Sequence, residues 1–339
     1  MIFFISFIVA FICTPLAIKI APKIGALDIP KDDRRMHTET MPRFGGIAIY
    51  VGSMVPIIFF LFDTIDQRMA GIAIAATLIL IMGIVDDIWG LSAKVKLAGQ
   101  ILCACILFAC SVRISFISNP WGEGLIEFPW VVSFIVTILW IVGITNTINL
   151  IDGLDGLAAG VSFIATVVIA YIAFINRRYD VSMAFLALAG SCLGFLPWNF
   201  HPAKIFMGDG GALYLGFMIA SISVMSPMKS ATVIATILPI FVLALPILDT
   251  ALAIIRRVKN GRPIMEADKQ HLHHQILNVG MGHKRTVLTL YCISGIMGVA
   301  SILISRGLFI DALLLIAIAT TLVYVFMKDR GFGKPFKEK

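Results

Sequence analysis

Charge is what this 339-residue chain has least of. Asp, Glu, Lys and Arg together make up 14% of it, against about 25% in ordinary globular domains, while hydrophobic residues reach 59%. No soluble fold hides that much apolar side chain, which excludes an aqueous enzyme and a disordered chain. Cysteine is also sparse, and the six present (Cys13, Cys103, Cys105, Cys110, Cys192, Cys292) all fall within apolar stretches, which excludes a disulfide scaffold. Cys103 and Cys105 are two apart and do not share a helical face, so they read as apolar filler rather than a metal pair. No repeat of 20–50 residues and no inverted symmetry of the transporter kind is visible. The first apolar window has no basic region before it, since Lys19 and Lys23 stand at and beyond its far end, and is not read as a signal peptide.

What remains is a polytopic, all-α membrane protein. A bilayer core about 30 Å thick needs roughly 20 apolar residues per helix. Windows of that kind fall at Ile2–Ile20, Phe44–Phe62, Met69–Val85, Val95–Ile117, Val131–Leu150, Leu157–Ile175, Ser182–Phe200, Ala212–Met225, Thr232–Ile255, Thr286–Ser305 and Leu308–Met327. About eleven transmembrane helices are therefore expected, forming one domain over 1–327 with a basic tail at 328–339. The net charge of +7 is unevenly placed, with 21 of the 27 lysines and arginines on the loops of one face. The positive-inside rule makes that face cytoplasmic, with the N-terminus outside and the C-terminus inside. The basic excess thus reports orientation, and no nucleic-acid partner is expected.

The unusual polar residues collect on the same face. Asp86 and Asp87 end the third span and are followed by Lys94 and Lys96. Adjacent carboxylates sit badly against the negative end of a helix dipole. They are either solvated terminators or part of a site for a metal and phosphates. Asn146, Asn149 and Asp152 recur at three-residue spacing and stack on one helical face, with Asp155 extending the row past Gly153 and Gly156, which are expected to break the helix. Polar side chains in so apolar a setting face a cavity or bridge helices. Asp209 lies between glycines at a helix start, where the positive dipole favours an acid or a phosphate, although plain N-capping is the alternative. The loop after the ninth span carries Arg256, Arg257, Arg262 and then His271, His273 and His274. Without an HExxH pattern or companion cysteines, these read as contacts for a sugar phosphate or pyrophosphate rather than a zinc site; a solvated loop and anionic lipid headgroups are the alternatives. Asp249, inside the ninth span, is an intramembrane carboxylate, and Pro239 and Pro246 are expected to bend that span into a lateral groove.

Five loop carboxylates (Asp86, Asp87, Asp152, Asp155, Asp209) on one face repel one another unless a cation joins them. Oxygen donors without thiolates favour Mg²⁺, with Mn²⁺ as a substitute. The surrounding bases suit a polyanion. A hydrophobic body carrying such a site implies a reaction between a soluble phosphate compound and a lipid.

Several runs carry a resemblance beyond this. Asp86–Asp87, Asn146-x-x-Asn149-x-x-Asp152-Gly-x-Asp155-Gly-Leu157, Phe206-Met-Gly-Asp209 and His271-Leu-His273-His274, with Asp28-x-Pro30, Arg35-x-His37 and Pro42-Arg-x-Gly45-Gly46 before them, resemble the polyprenyl-phosphate N-acetylhexosamine-1-phosphate transferases in order and loop placement. The peptidoglycan branch, which transfers phospho-MurNAc-pentapeptide, typically has three consecutive histidines followed by Phe-Glu. Here Leu272 interrupts the histidines and Gln275-Ile276 follow, so the chain looks more like the branch that uses UDP-GlcNAc. The resemblance implies transfer of GlcNAc-1-phosphate from UDP-GlcNAc to undecaprenyl phosphate, releasing UMP, as the first membrane step of a surface glycan such as teichoic acid or O-antigen. It further implies a bacterial inner membrane, contact with membrane lipids and a homodimer. By resemblance, Asn149 and Asp209 hold Mg²⁺, Asp152 and Asp155 form the nucleotide pocket, Lys96, His271, His273 and His274 contact phosphates or sugar, and Asp86 and Asp87 serve catalysis. Pentapeptide transfer is the alternative within the family, and an ion-coupled transporter the alternative outside it.

Overall fold

The computed structural model describes residues 1–29, 40–62, 65–118, 124–225, 243–259, 261, 276–277 and 281–329. Eleven helices of 16 to 23 residues lie among them. They are α1 (Ile2–Ile24), α2 (Gly45–Leu61), α3 (Gln67–Trp89), α4 (Ala93–Ala109), α5 (Trp130–Ile151), α6 (Leu157–Ile175), α7 (Tyr179–Asn199), α8 (Gly208–Val224), α9 (Ala244–Lys259), α10 (His283–Ser305) and α11 (Phe309–Asp329). Six of them (α1, α3, α5, α6, α7, α10) are long and apolar enough to cross a bilayer, with mean hydropathy of 1.7 to 2.3, and α2, α8 and part of α11 are shorter apolar helices. The chain is a multi-pass membrane protein.

Two short antiparallel ladders interrupt the all-helical picture: β1 (Leu27–Asp28) with β2 (Met41–Pro42), and β3 (Phe116–Ser118) with β4 (Leu125–Glu127). The second corrects the fourth window. Val95–Ile117 is not one helix, because α4 stops at Ala109, Ser111 turns to φ 64°, and the Val112 N–H closes on the Leu107 carbonyl at 2.9 Å. Apolar character alone does not separate the end of a helix from the strand that follows it. Of the ninth window, α9 is described from Ala244, and Pro239 lies outside the described residues.

The helix that organises the molecule is α8. All of its residues except Asp209 are buried, as its all-round apolar sequence requires, and it packs against α2, α3 and α5. Small residues let the backbones approach closely. Where α3 crosses α8, a Cβ on Gly83 would stand 2.4 Å from the Gly210 Cα, so only glycine fits. That crossing brings Asp87, one turn further along α3, to the first turn of α8.

Candidate active site

The two adjacent acids of α3 point to different partners. Asp86 accepts the Leu91 N–H at 2.5 Å and, through its other oxygen, the Lys96 ammonium at 2.8 Å. Asp87 turns inward, with its side chain 2% exposed. Its oxygens accept the backbone N–H groups of Asp209 (2.9 Å) and Gly210 (3.0 Å) in the first turn of α8. A helix start leaves four N–H groups without intrahelical partners, and a carboxylate there is favoured by hydrogen bonding and by the dipole. Asp87 is therefore a cap supplied by a neighbouring helix. Gly208 makes room for it: at φ 71°, a Cβ on Gly208 would fall 2.5 Å from Asp87 Oδ2.

The cap leaves the Asp209 side chain free to face the cations. Lys96 Nζ lies 2.8 Å from Asp209 Oδ2, so one ammonium bridges Asp86 and Asp209. Arg43 stands 3.5 Å from both Asp87 Oδ1 and Asp209 Oδ1. Its backbone is held by a run of bonds between the segment before α2 and that before α8: Phe206 N–H to Pro42 O (2.8 Å), Gly45 N–H to Phe206 O (3.1 Å) and Gly46 N–H to Met207 O (2.9 Å). Asp209 is thus not its own helix's cap, the alternative weighed from sequence.

The polar row on α5 divides. Asn146 pairs its amide with Gln100 of α4, donating at 2.5 Å and accepting at 3.3 Å, and so bridges helices. Asn149 is half-buried, and its side chain has no partner among the described residues. As expected, the helix ends next: α5 stops at Ile151, and Gly156 takes φ 79° before α6. Burial, with the Asp209 charge adding to it and Arg43 opposing, pushes the Asp152 carboxyl up to about 7. Asp155 accepts the Ala203 N–H at 3.2 Å and lies 2.7 Å from His201 Nδ1. Asn199, 2% exposed, ties the loops together by accepting the Gly156 N–H at 3.1 Å and donating to the Ile205 carbonyl at 2.9 Å. Tyr291 of α10 donates its hydroxyl proton to the Gly156 carbonyl.

The structure therefore joins Asp86, Asp87, Lys96 and Asp209 directly, and Asp152 is electrostatically coupled to Asp209. His271, His273 and His274 lie outside the described residues. Asp249 is buried in α9. Sequence reasoning gave no site role to Arg43, Asn199, His201, His283 or Tyr291. Arg43 stands inside the run Pro42-Arg-x-Gly45-Gly46, Asn199 and His201 lie a few residues before Phe206-Met-Gly-Asp209, and His283 opens an apolar helix beside Lys284 and Arg285, whereas Tyr291 lies within that helix with no pattern around it.

Among the described residues, three of the carboxylates (Asp86, Asp87, Asp209) meet two permanent cations, Lys96 and Arg43. The carboxylate oxygens of this cluster are hard donors, and the side-chain amide of Asn149 has no partner among the described residues, a set of donor types that fits a hard divalent cation.

Comparison with known proteins gives the family of the chain. The profile of Glycosyl transferase family 4 matches residues 69–227, from α3 to the end of α8. A probable undecaprenyl-phosphate N-acetylglucosaminyl 1-phosphate transferase of Bacillus subtilis (strain 168) is 40% identical over 98% of this chain and 94% of its own length. A decaprenyl-phosphate N-acetylglucosaminephosphotransferase of Mycolicibacterium smegmatis is 35% identical over 93% of this chain and 86% of its own. The phospho-N-acetylmuramoyl-pentapeptide-transferase of Bacillus subtilis (strain 168) is further away, at 29% over 88% and 95%. The chain belongs to glycosyl transferase family 4, in the branch of the polyprenyl-phosphate N-acetylglucosamine-1-phosphate transferases rather than that of the pentapeptide transferases.

Proposed function

We propose that this chain transfers GlcNAc-1-phosphate from UDP-GlcNAc to undecaprenyl phosphate on the cytoplasmic face of a bacterial inner membrane. About eleven spans put the N-terminus outside and the C-terminus inside. The observation that carries the reading is the Asp86–Lys96–Asp209 bridge at the end of a buried helix, a charged site on an otherwise apolar body.

A phosphate oxygen of the lipid attacks the phosphorus that bears GlcNAc. The bond from that phosphorus to the bridging oxygen breaks, and UMP leaves with the electron pair. The lipid phosphate carries about 1.5 to 2 negative charges and the donor about two, so the reactants repel. Positioning and charge neutralisation therefore supply most of the catalysis. Asn149 and Asp209 would hold Mg²⁺, which would supply charge neutralisation on the pyrophosphate. Lys96 holds Asp86 and Asp209 in place and presents its ammonium to the phosphates. Asp152 and Asp155 line the nucleotide side, anchored by Asn199 and Tyr291. The lipid phosphate is already ionised near pH 7, so strong base catalysis is not required of Asp86. Asp87 serves by fixing the start of α8. His271, His273 and His274 are assigned to phosphate or sugar.

The test is incubation of detergent-purified protein with labelled UDP-GlcNAc, undecaprenyl phosphate and Mg²⁺, followed by identification of the nucleotide released. UMP with a lipid-diphosphate-GlcNAc product is expected. Release of UDP would mean ordinary glycosyl transfer and sink the mechanism. Turnover only with UDP-MurNAc-pentapeptide would move the chain to the other branch.

A further inference from the structure

Beside the carboxylate cluster lies a second group of donors with different chemistry. Asp155, in the loop between α5 and α6, His201, in the loop between α7 and α8, and His283, at the start of α10, each offer a ligand atom within 4.8 Å of the others. The two imidazoles stack, with centroids 4.2 Å apart and planes 12° from parallel. His283 Nε2 is buried with no hydrogen-bond partner among the described residues. A buried polar atom left without a partner calls for an explanation, and a ring nitrogen aimed into a cluster of other donors is placed to take a metal.

We propose that Asp155, His201 and His283 form a binding site for a borderline transition metal of the Zn²⁺ or Co²⁺ class, separate from the Mg²⁺ site. Two imidazoles and one carboxylate suit such an ion, whereas Mg²⁺ prefers an all-oxygen shell. Bonds of about 2.0–2.2 Å require the three side chains to draw together and the rings to rotate out of their stack. The His201 side chain, 39% exposed, has room for that rotation. Three ligands leave the fourth position to water. The ion would fasten the start of α10 to both loops. If Asp155 lines the nucleotide pocket, as the proposed function has it, the ion also withdraws that carboxylate and inhibits transfer in competition with UDP-GlcNAc.

Binding is tested without substrates, so it stands or falls apart from the transferase reading. Tag-free protein, stripped with chelator in detergent, is titrated with Co²⁺ while the visible d–d absorption is recorded. One saturable Co²⁺ per chain is expected, displaced by Zn²⁺ but not by excess Mg²⁺. His283→Phe keeps a ring to stack on His201 but removes the nitrogen, and should weaken binding by more than the roughly 10–100-fold that loss of an outer-sphere partner costs. His201→Phe should do the same. The triple variant His271→Ala, His273→Ala, His274→Ala should bind as the parent does. Undiminished binding by His283→Phe, loss of binding in the triple variant, displacement by Mg²⁺, or no saturable binding by the parent would each overturn the proposal.

Discussion

Replacing Asp87 separates anchoring from chemistry. Asp87→Ala leaves the N–H groups of Asp209 and Gly210 without their acceptor at the buried start of α8. A buried donor left unsatisfied costs about 1–3 kcal/mol, so the pair should cost about 2–6 kcal/mol. Asp87→Asn retains one carbonyl oxygen to accept one N–H but loses the second bond and the charge facing Arg43, and should cost about half as much. Both should lose most turnover, because Asp209 is held by the same turn. Asp86→Asn is the control. It weakens the bond to Lys96, which keeps Asp209 as a partner, and should cost only about 1 kcal/mol while still abolishing most turnover. Denaturation midpoints in detergent, read alongside UMP release, should rank the proteins parent, then Asp86→Asn, then Asp87→Asn, then Asp87→Ala. If Asp87→Ala melts with the parent and yet is inactive, Asp87 acts in the reaction and its role as a cap is wrong.

Other consequences can be measured in the same preparations. Lys96→Met removes the ammonium between Asp86 and Asp209, and turnover should fall by about 10²–10³-fold, the usual effect of deleting one electrostatic stabiliser; a loss below tenfold would remove Lys96 from the site. Asn149→Ala should raise the Mg²⁺ concentration needed for half-maximal turnover more than it lowers the rate at saturating Mg²⁺, and an unchanged Mg²⁺ requirement would take Asn149 out of the ligand set. Because the Asp152 carboxyl is raised to about 7 when folded, from about 4 in an unfolded chain, its proton is bound more tightly in the folded state. The metal-free protein should therefore lose stability as pH rises from about 4 to about 7, and Asp152→Asn should flatten that slope. An identical slope in the variant would contradict the cause assigned. Photo-crosslinking with an undecaprenyl analogue should label α9, where Pro246 stands; labelling confined to helices far from α9 would rule out a groove there.

Most of the fold was legible because a bilayer demands long apolar runs and the sequence supplies them. The windows at Val131–Leu150 and Leu157–Ile175 coincide with α5 and α6 almost residue for residue. The fourth window failed where helix and strand share apolar character, past Ala109. The site was legible as a set of residue types but not as a wiring. Two adjacent aspartates look equivalent on paper, and only the close crossing at Gly83 and Gly210 decides that Asp87 turns to α8 while Asp86 turns to Lys96. Asn146 and Asn149 share a face by spacing, yet Gln100 of another helix takes the first and leaves the second open. Tyr291 was invisible because its bond to Gly156 spans 135 residues and leaves no local pattern.

The wiring also suggests why the charges are divided between two kinds of support. Asp86, Asp87 and Asp209 sit on the ends of packed helices, where the crossing of α3 and α8 holds them and where moving a charge would disturb the core. Asp152 and Asp155 sit on a loop, and that loop is gripped at one residue: Asn199 accepts the Gly156 N–H while Tyr291 donates to the Gly156 carbonyl. A loop whose backbone groups are satisfied by side chains from other helices is stiffened at that residue. Phosphoryl transfer between two anions needs fixed charges at the reacting phosphorus, but the donor must still enter and UMP must still leave. A rigid helical half facing a tethered loop half meets both demands. It follows that Tyr291→Phe, which deletes one hydrogen bond and little else, should raise the KM for UDP-GlcNAc several-fold while leaving kcat and the KM for lipid phosphate near those of the parent. Equal loss in all three parameters would mean that Tyr291 supports the whole fold and not the nucleotide side of the site.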